Sequence, residues 1–510
     1  MICPHGPHDI YEINTRLWLG ELGVTRLGDV PDAAIDALAE RFDWVWLMGV
    51  WTPSPYAEYA AKNHPLLREE CRRALPDVTT EDIVASPYAI GAYRVSDRLG
   101  GPGELARLRE RLARRGVRLM LDFVPNHTGC DHPLALERPE LYVGAGPGAA
   151  AGDTFVTPSG ARLFHGRDPH FPPWTDTAQL DARRRSTRRA LGDELLAVAR
   201  QCDGVRCDMA MLLLRDVFER TWDRAGVLAP PPADRAGGEL WPELVDRVRA
   251  EMPGFVFLAE AYWGTEARLH ALGFDFTYDK TLYDHLVEGR AREALAQVGG
   301  EPRSQWRALR FLENHDEERA AARMPADLYR AAALVTFTLP GMRLLHHGQL
   351  EGARRRVPVQ LTRRAAEPVD HDLARFLREL AVVARDPVLR AGAWMRVEPR
   401  PAWDGNASHD AFFAAAWDAS FAGVAGGAHR LLAVNLATHR AQCRLPLALP
   451  GLAARQVRVR ELFATGATPP GEARAEDGRP IQLRAGDELT DPGLYVELPP
   501  RTGQLVSIGP

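Results

Sequence analysis

Short apolar runs alternate with amphipathic helical patterns along the first ~385 residues of this chain, and that alternation restricts it to an α/β architecture with a parallel sheet. The runs are hydrophobic at nearly every position, as expected of strands covered on both faces. They fall at Ile10–Thr15, Trp44–Val50, Val117–Val124, Gly204–Met209, Phe255–Ala261, Phe274–Tyr278, Ala308–Leu312 and Met342–His346. Between them, Leu105, Leu108 and Leu112 share one face of a helix that stops at Gly116. Leu191, Leu195, Val198 and Cys202 form a second apolar stripe. Eight strands with interleaved helices, at ~30 residues per unit, predict a (β/α)8 TIM barrel.

The spacing also locates insertions. Residues 53–85 hold an excess with a charged helical piece, HPLLREECRRAL. A larger one, 128–181, is rich in Gly, Pro and His and follows the third strand, on the face where barrel sites are built. A third, AGVLAPPPADRAGG, follows the fourth helix. Beyond ~390 the helical period disappears. Phe412–Trp417, Leu431–Leu436, Val457–Leu462, Leu494–Leu498 and Gln504–Ile508 read as strands, with Val457 and Val459 alternating with Arg458 and Arg460. The expected organisation is a barrel of residues 1–127 and 182–388, an inserted domain at 128–181, and a C-terminal antiparallel β-sandwich at 389–510.

Composition narrows the function classes. A net charge of −5 over 510 residues, with no long basic run, argues against nucleic acid as a partner. Lys62 and Lys280 are the only lysines, so Schiff-base chemistry has two candidates at most. The cysteines, Cys3, Cys71, Cys130, Cys202, Cys207 and Cys443, show no metal-ligand spacing. No segment approaches the ~20 apolar residues of a membrane span. The start, MICPHGPHDIYEINTR, lacks a basic region followed by an apolar run. A cytoplasmic, thiol-reduced protein is expected.

Four segments place polar residues at the end of an apolar strand: LMLDFVPNH (119–127), GVRCDMA (204–210), FLAEAYW (257–263) and FLENHDEER (311–319). Barrel strand ends share one mouth, where acidic groups are partly solvated. Arg206 lies two residues before Asp208, on the same side of the strand, and would keep that carboxylate ionised and oriented.

In these four segments, and in WTDTAQLD (174–181) and GMRLLHHGQLEG (341–352), the chain resembles the α-amylase family, glycoside hydrolase family 13. The resemblance covers essentially the whole length. It implies Asp208 as nucleophile, Glu260 as general acid/base and Asp316 as the acid that stabilises the transition state. It implies sugar contacts for Tyr88, His127 and His315, with Asp122 and Arg206 in the same site; Asp122 is open to a purely organising role through Arg206. Asn126 has two readings, a structural residue or the family's calcium ligand; no other metal and no cofactor is expected. Trp51, Tyr262 and Trp263 either line the pocket or cap barrel layers. Chemically, a retaining pair needs one carboxylate to attack the anomeric carbon and another, starting protonated, to serve the leaving oxygen.

One departure bears on substrate. Starch-cleaving members of the family carry Lys-His shortly after the nucleophile, whereas here the run is Met209-Ala210-Met211-Leu212-Leu213-Leu214. A small α-glucoside is therefore expected over a polymer. The leading expectation is a retaining α-glycoside hydrolase on α-glucosidic oligosaccharides. A transglycosidase or isomerase uses the same double displacement. A non-catalytic sugar-binding or partner subunit is the third reading, and it sits poorly with three retained acids.

Overall fold

The computed structural model describes residues 8–222, 233–422, 427–466 and 481–509. All eight expected barrel strands are present: β1 (His8–Asn14), β2 (Trp44–Met48), β3 (Arg118–Phe123), β4 (Gly204–Cys207), β5 (Val256–Ala259), β6 (Phe276–Tyr278), β7 (Ala308–Arg310) and β8 (Met342–His346). They close into one barrel in chain order. Six of them end one or two residues before the apolar run does, because the backbone leaves the ladder where the polar tip begins. β2 and β5 are buried at every position, as strands covered on both faces must be.

Internal contacts divide the chain into a first unit, Ile10–Tyr278 with Arg356–Ala366, and a second, Met1–Asp9, Asp279–Arg355 and Glu367–Pro510. Within the first, β2, β3, β4 and β5 pair in parallel, with Arg206 directly opposite both Asp122 and Leu258. The helix Pro102–Ala113 begins with proline at its first turn and buries Leu105, Leu108 and Leu112; Gly116 then turns the chain at φ +77°. The helix of the second stripe runs Arg185–Ala199, so Cys202 lies past its end. HPLLREECRRAL forms the helix Pro65–Ala74, capped by His64, whose Nδ1 accepts from the Leu67 amide. Ala61, Cys71, Leu75, Ile83 and Leu361 give the 53–85 insertion a small core of its own. An antiparallel pair, Trp51–Pro53 with Ile90–Val95, brackets that insertion and was not expected from the sequence. The 128–181 segment is held by two short antiparallel pairs, His127–Gly129 with Thr177–Gln179 and Thr154–Val156 with Arg162–Phe164. Of the third insertion, residues 225–232 lie outside the described residues, as does Cys3.

In the second unit, the C-terminal strands are β9 (Ala393–Arg396), β10 (Phe412–Asp418), β11 (His429–Asn435), β12 (Ala441–Leu445), β13 (Gln456–Ala464), β14 (Ile481–Ala485), β15 (Leu494–Leu498) and β16 (Thr502–Gly509). They form a six-stranded antiparallel sheet in the order β9-β10-β11-β16-β13-β14 and a two-stranded sheet, β12-β15. Phe412, Leu431 and Ala433 of the first sheet meet Cys443, Leu445 and Val496 of the second in one core. Val457 and Val459 are buried, Arg458 is exposed and Arg460 partly so, matching the alternation read from sequence. β9, β12 and β14 are additional strands; their polar or short runs hide them from a reading based on apolar stretches. Among the described residues, no helix is long and apolar enough to cross a membrane.

Candidate active site

Arg206 organises the polar cluster at the tips of β3, β4 and β5. Its Nη1 donates to Asp208 Oδ1 at 2.6 Å and its Nη2 to Glu260 Oε2 at 2.7 Å. Asp122 stands further off, at 3.5 Å from Nη1. Register explains the arrangement: Arg206 is opposite Leu258, so two residues on, Asp208 and Glu260 come level on adjacent strands. The backbone continues the ladder there, with the Glu260 amide donating to the Cys207 carbonyl. Three aromatic side chains surround the guanidinium. Tyr278 Oη accepts from Nε at 3.3 Å, and the rings of Trp46, Tyr88 and Tyr278 lie 5.2–5.8 Å from the guanidinium carbon. Burial disfavours the Arg206 cation, but Glu260, Tyr278, Tyr88 and Asp208 hold its pKa well above the ordinary value.

Glu260 collects donors from elsewhere too. The Met209 amide donates to Oε2 at 2.7 Å, and the Tyr262 hydroxyl to Oε1 at 2.7 Å. Met209 reaches this position in the left-handed region, at φ 45° and ψ 42°. Glu260, expected from the sequence to start protonated, is thus met by an arginine, an amide and a phenol. Asp122 is held from the far side, since Trp46 Nε1 donates to Oδ2 at 3.1 Å and Trp51 Nε1 to its carbonyl at 2.8 Å. Trp51 is 3% exposed and belongs to this support, while Trp263 is 48% exposed, with φ 61°.

Tyr88 is half-buried, its ring against Arg206. His127 sits behind it, hydrogen-bonded to the Tyr88 backbone and 5.1 Å from the Trp174 ring. Burial pushes its pKa down to about 4 against that backbone bond, so the imidazole is neutral. In the second unit, Asn314 Oδ1 accepts from the amides of Asp316 and Glu317, a tight turn directly after β7. His315 is buried, with Nε2 3.0 Å from Asp316 Oδ2, and the Asp316 side chain is 48% exposed. Glu313 beside them is tied instead to Arg319 at 2.6 Å and to the Ala320 amide at 2.7 Å.

Over 399 residues the chain is 26% identical to the α-amylase MalA of Haloarcula japonica, a match covering 75% of this chain and 50% of that protein. It therefore spans half the length of the curated relative it matches. Its fold superimposes on a noncanonic maltogenic α-amylase of Thermotoga neapolitana with a TM-score of 0.65 at 16% identity, over 98% of both chains. An α-amylase of Lactobacillus plantarum gives 0.62 at 20% identity, also over 98% of both. No family model matches the chain.

The chain is a relative of the α-amylase family.

Of the two readings of Asn126, structural residue or calcium ligand, the pairing of its side chain matches the first. Calcium takes six to eight oxygens. The Asn126 side-chain oxygen instead accepts from Gln179 Nε2 at 3.0 Å, and its amide nitrogen faces Gln179 Oε1 at 3.3 Å. The nearby Asp181 carboxylate is gripped by Arg183 at 2.7 and 2.8 Å. Among the described residues, no group of three or more His, Cys, Asp or Glu side chains is arranged to hold a metal. The Asn126–Gln179 amide pair itself joins the end of β3 to the inserted segment, and these residues do not fit a calcium ion.

The run after Asp208 also resolves. Ala210–Leu213 is a 3-10 turn, buried throughout, and Trp241 Nε1 donates to the Ala210 carbonyl at 3.0 Å. The amylase relative thus fills this place with core. Sequence reasoning missed Trp46 and Tyr278, which support Arg206 and Asp122. In the sequence they look like any strand aromatic; the available signal was that Trp46 sits on β2, whose neighbour β3 carries Asp122.

Proposed function

We propose that this protein is a retaining α-glycosidase acting on short α-glucosidic oligosaccharides. The observation that carries the reading is the sharing of one guanidinium, Arg206, by Asp208 and Glu260. A retaining pair works at a spacing of ~5–5.5 Å, and two carboxylates bridged by one arginine on adjacent strand tips meet the requirement of close neighbours. Asp208, bound to Nη1, attacks the anomeric carbon; Glu260 protonates the departing oxygen and then activates water. The proton has one sensible place. Oε2 receives N–H groups from Arg206 and Met209, neither of which can accept. Oε1 faces the Tyr262 hydroxyl, which accepts as readily as it donates. The acid form of Glu260 therefore carries its proton on Oε1.

Asp316, at the turn after β7, takes the transition-state role its motif implies, and His315 is assigned with it to the sugar hydroxyls. Tyr88 offers its ring as the platform for the bound pyranose, backed by neutral His127. Asp122 positions Arg206. The inserted segment 128–181 and the C-terminal residues 389–510 are assigned as domains flanking the 1–127 and 182–388 barrel. Two relatives are named as α-amylase and maltogenic α-amylase, which supports an α-glucan-derived substrate. The buried apolar turn after Asp208 supports a short one. The free buried thiols suit a reducing, cytoplasmic setting.

Product analysis with maltose, maltotriose, trehalose and sucrose tests the reading. Free glucose released from at least one α-glucoside, with the α-anomer formed first, is the expected result. Transferred or isomerised products without free glucose would replace hydrolysis by glycosyl transfer. Asp208→Asn should lower turnover of an aryl α-glucoside by at least ~10³-fold while the fold persists. Unchanged turnover would remove Asp208 as nucleophile and bring back a binding-only role.

A further inference from the structure

The first unit contains a cavity of about 230 Å³ whose described lining includes two arginines, Arg16 and Arg98, and no carboxylate. Arg16 follows directly on β1, and its guanidinium has five donors. Among the described residues one is used: Nη1 donates to the Ala85 carbonyl at 3.1 Å. Among the described residues, no acid lies within ion-pair distance of it. The carboxylate that acts on it electrostatically, Glu58, is already engaged by Lys62 at 2.7 Å and by Arg98 at 3.4 Å. Three cations thus surround one acid. Burial and the like charge of Arg98 push the Arg16 pKa down to about 10, which leaves it charged at any physiological pH. Ser96 adds a polar group to the same wall. It is 7% exposed, and its Oγ accepts from the Arg98 amide at 3.3 Å, so its own proton is available to a ligand.

One carboxylate shared by three cations leaves the cavity with excess positive charge, and an anion bound between the partly buried Arg16 and the solvent-exposed Arg98 would offset it. Guanidinium forks match oxyanions in two-point geometry, and a serine hydroxyl completes such a set. We propose that the cavity walled by Arg16 and Arg98 is a binding site for a small oxyanion of the phosphate class, either inorganic phosphate or the phosphoryl group of a hexose monophosphate. The site is separate from the Arg206 cluster but mechanically next to it. Arg16 is anchored on Ala85, three residues before Tyr88, and Gly49 of the cavity wall packs against Pro87 of the same loop. An occupant that draws Arg16 towards it therefore acts on the loop bearing the aromatic platform.

Titration calorimetry on the full chain, with inorganic phosphate and separately with a hexose monophosphate, tests this. The expected result is saturable binding at one site per chain, weakened about tenfold or more by Arg98→Gln at unchanged melting temperature. Arg16→Gln should weaken it further; if that variant does not fold, Arg98→Gln alone decides. Tighter binding of the hexose monophosphate names the organic source, and equal or weaker binding names the free ion. Absence of saturable binding by either up to roughly 10 mM would overturn the site, as would binding that the Arg98 variant leaves untouched.

Discussion

Tyr262 tests the chemistry at Glu260, and His127 tests the burial behind Tyr88. Tyr262 is the hydroxyl partner of Glu260 Oε1, so Tyr262→Phe leaves both N–H donors on Oε2 in place and removes the group that accepts from the acid form. Turnover should fall by about 10- to 100-fold, with the alkaline limb of the pH–rate profile displaced and KM little changed. An unaltered profile would place Tyr262 outside proton transfer. His127 yields a prediction about stability. Its folded pKa, about 4, lies below the 6.5 of a free imidazole, so the unfolded chain binds the proton more readily. Its contribution is complete above pH 6.5 and is lost as the pH falls from 6.5 to 4, amounting to about 3 kcal/mol. His132, also near 4, adds in the same direction. Urea midpoints should decline across that window, and less steeply in His127→Gln. Midpoints level from pH 7 to 4 would contradict the buried neutral imidazole.

Strand register turns scattered residues into a site. Arg206 and Glu260 are 54 positions apart and bonded, because β4 and β5 are aligned along their full length. Gly204, where β4 begins, has no room for a side chain. A Cβ there would lie 2.8 Å from the Val256 carbonyl and 3.2 Å from the Trp44 ring. Gly204→Ala should therefore cost about 2 kcal/mol and weaken activity through the tilt of Arg206 and Asp208. A urea midpoint equal to that of the parent chain would show that β4 can shift without penalty. The motif residues at the strand tips were legible in the sequence, since an acid ending an apolar run is conspicuous. Trp46 and Tyr278 were not, because an aromatic on a buried strand carries no mark of the hydrogen bond it makes.

At the scale of the molecule, the C-terminal sandwich packs within a unit that also holds barrel helices. Gly503 of β16 faces Leu334 of the helix Ala326–Thr338, and Gly289 faces the Leu436 carbonyl at the end of β11. A chain ending at residue 388 should expose those apolar helix faces and be recovered as aggregate, or melt well below the full chain. A monomer of 1–388 with the parent melting temperature would make the sandwich an independent appendage. The boundary read from sequence at 389 marks where helical periodicity stops, whereas contacts group 367–510 with 279–355. Periodicity reports local conformation and carries no information on which surface an element covers.

By itself the sequence determined the eight barrel strands, the antiparallel C-terminal region and the residue types at the strand tips. Each depends on local patterns of apolar and polar side chains, which the chain carries wherever it folds. The tertiary structure decided that one arginine serves both Asp208 and Glu260, that Glu260 is surrounded by donors, that Asn126 pairs with Gln179, and that the run after Asp208 is core. Those outcomes depend on strands and turns far apart in the chain meeting at fixed register, and distance in space is the one quantity a linear pattern does not contain.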